Sequence, residues 1–152
     1  MKKLFMILII CVFATGIVFA QDAKKAKTAQ EYISDLASKD EKTIIEAADW
    51  LGKEGEKGAV PELSRLVEQD SRQKVRMYAI IALGLIKQEE SVDVLNKALV
   101  SDSDADVRYS AILAISRIGS TKSIDALQKA KETETDPFIK DYITKLEAKF
   151  KK

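Results

Sequence analysis

The chain of 152 residues has no histidine, one cysteine, two prolines and one tryptophan. Each shortage removes a class of function. Without imidazole, and with Cys11 as the single thiol, the soft-metal ligand sets and the Cys–His and Ser–His nucleophile pairs cannot be assembled. Neither a G-x-S-x-G elbow nor a G-x-x-x-x-G-K-[ST] phosphate loop occurs. The 24 carboxylates sit mainly at turn positions and on polar faces among lysines, so no pair stands out for acid–base work. No catalytic residue, cofactor or metal is expected. A formal net charge of +1 gives no overall pull toward nucleic acid. Scarce proline, 7% aromatics and abundant Ala, Leu, Ile, Lys and Glu point to an all-α domain.

One long apolar run is present, and it lies at the N-terminus. Met1-Lys2-Lys3 is a short basic segment, Leu4 to Val12 is unbroken apolar, and Val18-Phe19-Ala20 precedes Gln21-Asp22. Residues 1–20 therefore read as a secretory signal peptide cut after Ala20. The exported product is expected in the periplasm, with no membrane insertion. An uncleaved signal would instead tether it to the membrane. Cys11 lies inside the run behind the bulky Ile10, which speaks against lipidation. The cut would leave a chain with no thiol, hence no disulfide. Removing Lys2 and Lys3 from the 25 basic residues leaves 23 against 24 acidic ones, a formal charge of −1. Residues 21–27 are polar and aperiodic and read as a flexible tail.

From residue 28 onward the apolar residues follow helical spacing. Thr28 and Glu31 form a capping box ahead of Tyr32, Ile33, Leu36 and Ala37. A second helix, introduced by Ser38-Lys39-Asp40-Glu41, carries Ile44, Ala47, Ala48, Trp50 and Leu51. Gly52, Gly55 and Gly58 read as a turn needing positive φ. Pro61 suits the first turn of a third helix bearing Leu63, Leu66 and Val67. The stretch 72–87 is apolar almost all round, and its pattern returns at 105–118. Shorter helices follow each copy, with Leu95 and Leu99 in one and Ile124 and Leu127 in the other. Asp136-Pro137 opens a last helix with Ile139, Ile143, Leu146 and Phe150.

The repeat has a 32-residue register and holds it without insertion. Ala47, Ala79, Ala111 and Ile143 are equivalent. So are Leu51, Leu83 and Ile115, and Leu63, Leu95 and Leu127. A helix pair repeated at this period builds a solenoid in which each pair covers the next. The expected count is three pairs flanked by single capping helices over residues 28–152.

Val75-Arg76, Ala79, Ala82-Leu83-Gly84 and Ile86, then Val107-Arg108, Ala111, Ala114-Ile115, Ile118 and Gly119, with Ala59-Val60-Pro61-Glu62-Leu63 in the second helix, resemble the HEAT repeat in the short form also found in bilin lyases. The resemblance spans residues 40–150 and implies a right-handed α-α superhelix. It departs at Thr43-Ile44 and at Ile139-Lys140. HEAT arrays mostly act as protein-binding scaffolds, so the expected partner is a protein and the expected role non-catalytic. The bilin-lyase form leaves an accessory or lyase-related role as the alternative.

Two sets of residues stand out. Asp70 with Arg76, and Asp102 with Arg108, share a six-residue spacing across the turn between repeats, and Glu134 with Lys140 repeats it. In HEAT arrays such residues form an internal ladder, and arginine–carboxylate geometry suits that task. The resemblance further implies that the second helix of each pair lines the concave side. Its polar positions are Glu62, Ser64, Arg65 and Glu68, then Asp93, Asn96 and Lys97, then Asp125, Gln128 and Lys129. Arg65, Lys97 and Lys129 fall in register as a candidate basic row for a partner. Trp50, Tyr78, Tyr109 and Tyr142 read as packing residues. The sequence Ser101-Asp102-Ser103-Asp104-Ala105-Asp106 lacks the central glycine and distal glutamate of a calcium loop and reads as capping.

Overall fold

The computed structural model describes residues 26–151. The expected signal peptide and all but Ala26 and Lys27 of the expected tail lie outside that range. Within it stand eight α-helices: α1 (Ala29–Asp35), α2 (Glu41–Glu54), α3 (Val60–Gln69), α4 (Gln73–Ile86), α5 (Val92–Ser101), α6 (Ala105–Ile118), α7 (Ile124–Thr133) and α8 (Pro137–Phe150). The three pairs are α2–α3, α4–α5 and α6–α7, with α1 before them and α8 after. The arrangement is an α-solenoid.

The helix boundaries follow local chemistry. Thr28 accepts from the Glu31 amide while the Glu31 carboxylate accepts from the Thr28 amide, the reciprocal capping box. Asp40, Asp104 and Asp136 accept amide hydrogens of the first turns of α2, α6 and α8, each satisfying donors that the helix cannot. The first helix of each pair ends in a left-handed residue, at Gly55 (φ 70°), Lys87 (φ 57°) and Gly119 (φ 76°). These three positions are equivalent in the repeat. Gly55 and Gly119 adopt that conformation without a Cβ clash, whereas Lys87 carries the penalty of a side chain there. A single 3₁₀ turn then leads into each second helix.

Two of the three glycines assigned to the first turn behave otherwise. Gly52 lies inside α2, and Gly58 has no positive φ. Gly52 serves packing: a Cβ there would stand 2.8 Å from the Ala82 Cα. Gly84 repeats the contact one pair later, 2.8 Å from both Cα and Cβ of Ala114. In both places one helix backbone lies directly on the next, which only glycine against alanine permits. The second helices approach one another less closely.

The in-register apolar residues form one core. Ala47, Ala79, Ala111 and Ile143, with Leu51, Leu83, Ile115, Leu63, Leu95 and Leu127, are all buried. Burying a leucine contributes about 2 kcal/mol, and the recurrence of each position spreads that stabilisation evenly along the stack. The final interface differs. Ser116 and Leu146 occupy the positions of Gly84 and Ala114, so the small-on-small contact is lost, and α8 packs mainly on α7 rather than on α6. The space at that end is occupied by Tyr109, whose ring lies 5.7 Å from Phe138 and 6.1 Å from Tyr142.

Two substitutions test this packing by chemical denaturation. Gly84→Ala should destabilise by roughly 1–3 kcal/mol through overpacking, although alanine alone would favour the helix by about 1 kcal/mol. Lys87→Gly should stabilise by about 1 kcal/mol, because it relieves a left-handed residue with an exposed side chain. Stabilisation by Gly84→Ala would show that the backbone contact is not tight.

Candidate interaction surfaces

The ladder is built from the arginine at the start of a first helix and the acid that ends the second helix of the same pair. Arg76 donates from Nε and Nη2 to both carboxylate oxygens of Asp102, at 2.8 and 3.0 Å. Its Nη1 donates to the carbonyls of Asp70 and Ser71, each at 3.1 Å. Arg108 repeats the pattern on Glu134, at 2.9 and 3.0 Å, and on the carbonyls of Asp102 and Ser103. The six-residue spacing therefore marks an arginine-to-carbonyl contact. The side-chain pairing expected between Asp70 and Arg76, and between Asp102 and Arg108, is made instead with the acid one repeat further on, which closes the arginine's own helix pair.

This stagger explains both ends of the ladder. The position that would supply Asp70 with an arginine, on α2 of its own pair, holds Ile44. Asp70 is served by Arg72, which donates its amide, Nε and Nη2 to the carboxylate and reaches the Lys39 carbonyl with Nη1. At the other end Glu134 stands where Asp70 and Asp102 stand. Its longer side chain still accepts from the Thr135 and Asp136 amides as well as from Arg108. The Glu134 side chain is 2% exposed and that of Arg108 20%, so neither charge could be left alone at little cost.

The electrostatics follow from these contacts. Hydrogen bonding to Arg108 holds the Glu134 carboxyl below the usual glutamate range, against the opposing effect of burial. For Asp102 burial is the largest influence and pushes upward. Hydrogen bonds from Arg76 and the Asp104 amide, with the charges of Arg76 and Arg108, outweigh it, and the carboxyl lies below the usual range. The carboxylates of Ser101–Asp106 are engaged by such contacts: Asp102 in the ladder, Asp104 as the cap of α6. Among the described residues, no three His, Cys, Asp or Glu side chains cluster in a way that could hold a metal.

Most polar positions of the second helices are occupied by pairs within the protein. Arg65 donates to Glu62 at 2.8 Å. Lys97 reaches across to Glu68 at 2.9 Å. Asn96 meets the Lys122 carbonyl at 3.4 Å, and Gln128 the Glu147 carboxylate at 3.2 Å. Asp93, Asp125 and Lys129 are exposed, and Ser64 is half-buried. Arg65, Lys97 and Lys129 do share a row, yet the first two are neutralised by adjacent acids, so no continuous basic rail results.

The tighter row is that of the first helices, because Gly52 on Ala82 and Gly84 on Ala114 draw α2, α4 and α6 together. On this row apolar rather than polar side chains reach the surface. Ile45, Met77 and Tyr109 are equivalent and half-buried. Beside them lie the half-buried Tyr78, Ile81, Leu85, Leu113 and Tyr142. Phe138, at 65%, is the exposed large hydrophobic residue of the described chain. The signal for this face was the all-round apolarity of the stretch 72–87. More side chains were apolar there than packing against neighbouring helices consumes.

HEAT repeats match the sequence over residues 29–96 and again over 66–145. The chain belongs to the HEAT-repeat family. Two engineered proteins of known crystal structure, both from a structural genomics consortium, share this HEAT chain's fold. One aligns with a TM-score of 0.63 at 22% identity over 82% of this chain and 63% of its own. The other aligns at 0.62 and 22%, over 82% of this chain and 38% of its own. The HEAT chain thus spans less than two thirds of either structure. No curated protein is similar enough to match.

The ladder gives an acid-sensitive stability. Glu134 and Asp102 have folded pKa values below their unfolded ones. Their contribution is complete above the unfolded range of about 4 and is lost as pH falls through the lower folded values. Arg108→Ala should cost roughly 2–4 kcal/mol at pH 7, by stranding a buried carboxylate that keeps only its backbone amides. Denaturation curves of both proteins measured from pH 7 to 3 should converge at the acid end. A constant difference across that range would show that the ladder does not supply the stability assigned to it.

Proposed function

We propose that this chain is an exported, non-catalytic scaffold that binds a protein partner through the first-helix row of its solenoid. One observation carries the reading: a semi-exposed apolar and aromatic strip, Met77, Tyr78, Ile81, Tyr109, Phe138 and Tyr142, runs over the first helices α4 and α6 and onto the flanking helix α8. Aromatic and methionine side chains on a rigid surface are what protein interfaces concentrate at their anchors. The polar row of the second helices is largely spent on internal pairs, which favours the first helices. Export rests on the pattern of residues 1–20, with its basic start, apolar run and small residue at Ala20.

Affinity capture from the envelope of the source cells tests the reading. A partner held by the first-helix row should be lost with Met77→Glu plus Phe138→Glu and retained with Lys97→Glu plus Lys129→Glu. The reverse result would place the interface on the second helices. Mass spectrometry of the mature protein should find Gln21 as its first residue. Retention of Met1 would replace a free periplasmic scaffold with a tethered one.

A further inference from the structure

The groove between α1 and α2 has a chemistry unlike the rest of the surface. It encloses about 580 Å³ and is lined by Tyr32, Asp35, Glu46, Asp49, Trp50 and Glu54, with Lys27 and Lys53 also on its walls. Tyr32 and Trp50 stack with ring centroids 4.1 Å apart and planes 14° apart. Four carboxylates thus face two lysines around an aromatic pair. One of those lysines shows what the groove accepts. The Lys27 ammonium lies 2.5 Å from Asp35 Oδ2 and 5.5 Å from the centre of the Tyr32 ring. The other, Lys53, is paired with Asp49 along α2 at 2.6 Å.

The geometry points to a binding site for an arginine side chain of a partner protein, with Lys27 as its resident occupant. An aromatic face attracts a cation through its quadrupole, and the carboxylates supply the opposite charge. A planar guanidinium uses both at once: it stacks on a ring while donating paired hydrogen bonds to a carboxylate. An ammonium at the end of a flexible chain fits the same site less completely, which makes Lys27 a displaceable ligand. Asp35 is the carboxylate common to both occupants. Glu54, with Glu46 shared by Lys42 at 3.7 Å, adds negative charge to the wall of the groove that favours entry of a basic segment. The groove is separate from the Met77–Phe138 strip and has a readout of its own.

Trp50 is the chain's single tryptophan, so its fluorescence reports this groove alone. The probe is the blocked peptide acetyl-Gly-Arg-Gly-amide, with acetyl-Gly-Gln-Gly-amide and sodium chloride at equal ionic strength as controls. The arginine peptide should shift Trp50 emission saturably. Lys27→Ala should lower the half-saturating concentration about two- to five-fold, the range that an exposed ion pair supports. In the Lys27→Ala background, Asp35→Asn should raise it about three-fold or more, as loss of one charged partner implies, while thermal unfolding still shows a folded protein. An equal response to the glutamine peptide or to salt would overturn the proposal. So would the absence of a saturable response in both wild type and Lys27→Ala, or a Lys27→Ala protein that binds no better than wild type. If Asp35→Asn does not fold, the Lys27→Ala comparison and the control peptide decide the matter.

Discussion

The contact of Gly84 with Ala114, and of Gly52 with Ala82, sets the geometry of the whole stack. Helix backbones that touch leave no room for side chains between them. The apolar residues flanking the contact are therefore driven to its two sides. On one side they meet the second helices and form the buried core of Leu51, Leu83, Ile115, Leu63, Leu95 and Leu127. On the other they emerge as the half-covered Met77, Tyr78 and Tyr109. A single steric constraint, the absence of a Cβ at two positions, thus produces both a tight row and a surface of apolar side chains. Hydrophobic burial supplies the free energy, while the glycines decide where the remaining apolar surface goes.

The ladder acts on a different degree of freedom. Van der Waals contact between neighbouring helices permits sliding, because one alanine resembles the next along the groove. Arg76 and Arg108 remove that freedom. Each holds two carbonyls of its own turn and both oxygens of the next acid, so register between pairs is fixed by directional bonds. Buried ion pairs contribute little net stability against an apolar replacement, and their stronger effect is the penalty for leaving one partner alone. The two arginines therefore fix pair-to-pair geometry more than they raise the free energy of the fold.

Much of this was legible in the sequence because the repeat supplies its own internal comparison. The register alone identified the paired helices, the equivalence of Ala47, Ala79 and Ala111, and the importance of Arg76 and Arg108. What it did not reveal was direction. A six-residue spacing is compatible with a bond to a side chain or to a carbonyl of the same residue, and only the three-dimensional arrangement selects the acid that closes the arginine's own pair. Gly52 was obscured for a related reason. Glycine near a helix end signals a turn, and Gly55 nearby is one. The packing role of Gly52 becomes visible only when it is set against its equivalent in the next pair, Gly84, which lies well inside its helix. The polar positions of the second helices were legible as a row, but their pairing was not. In a stack of this kind such side chains can satisfy one another, as Arg65 does with Glu62 within a helix and Lys97 with Glu68 between two.

The proposed binding surfaces lie where the chain departs from the repeat. Where Ser116 and Leu146 replace the glycine–alanine contact, α8 is set away from α6, and Tyr109, Phe138 and Tyr142 gather at the opening. Where Trp50 replaces the small residue of later pairs, α1 is held by a Tyr32–Trp50 stack and a groove opens beside it. Both ends of the solenoid thus exchange the small residue at the helix contact for a bulky one, Trp50 at one end and Leu146 at the other. Close helix packing cannot continue past a tryptophan or a leucine, so the neighbouring helix must stand off, and the space left is walled by rings. Aromatic rings serve packing within a helix pair and recognition at such an edge, because their faces remain attractive to cations and apolar groups after their rims are buried. The loss of close contact at each end therefore leaves ring-lined space, and the proposed binding surfaces lie there.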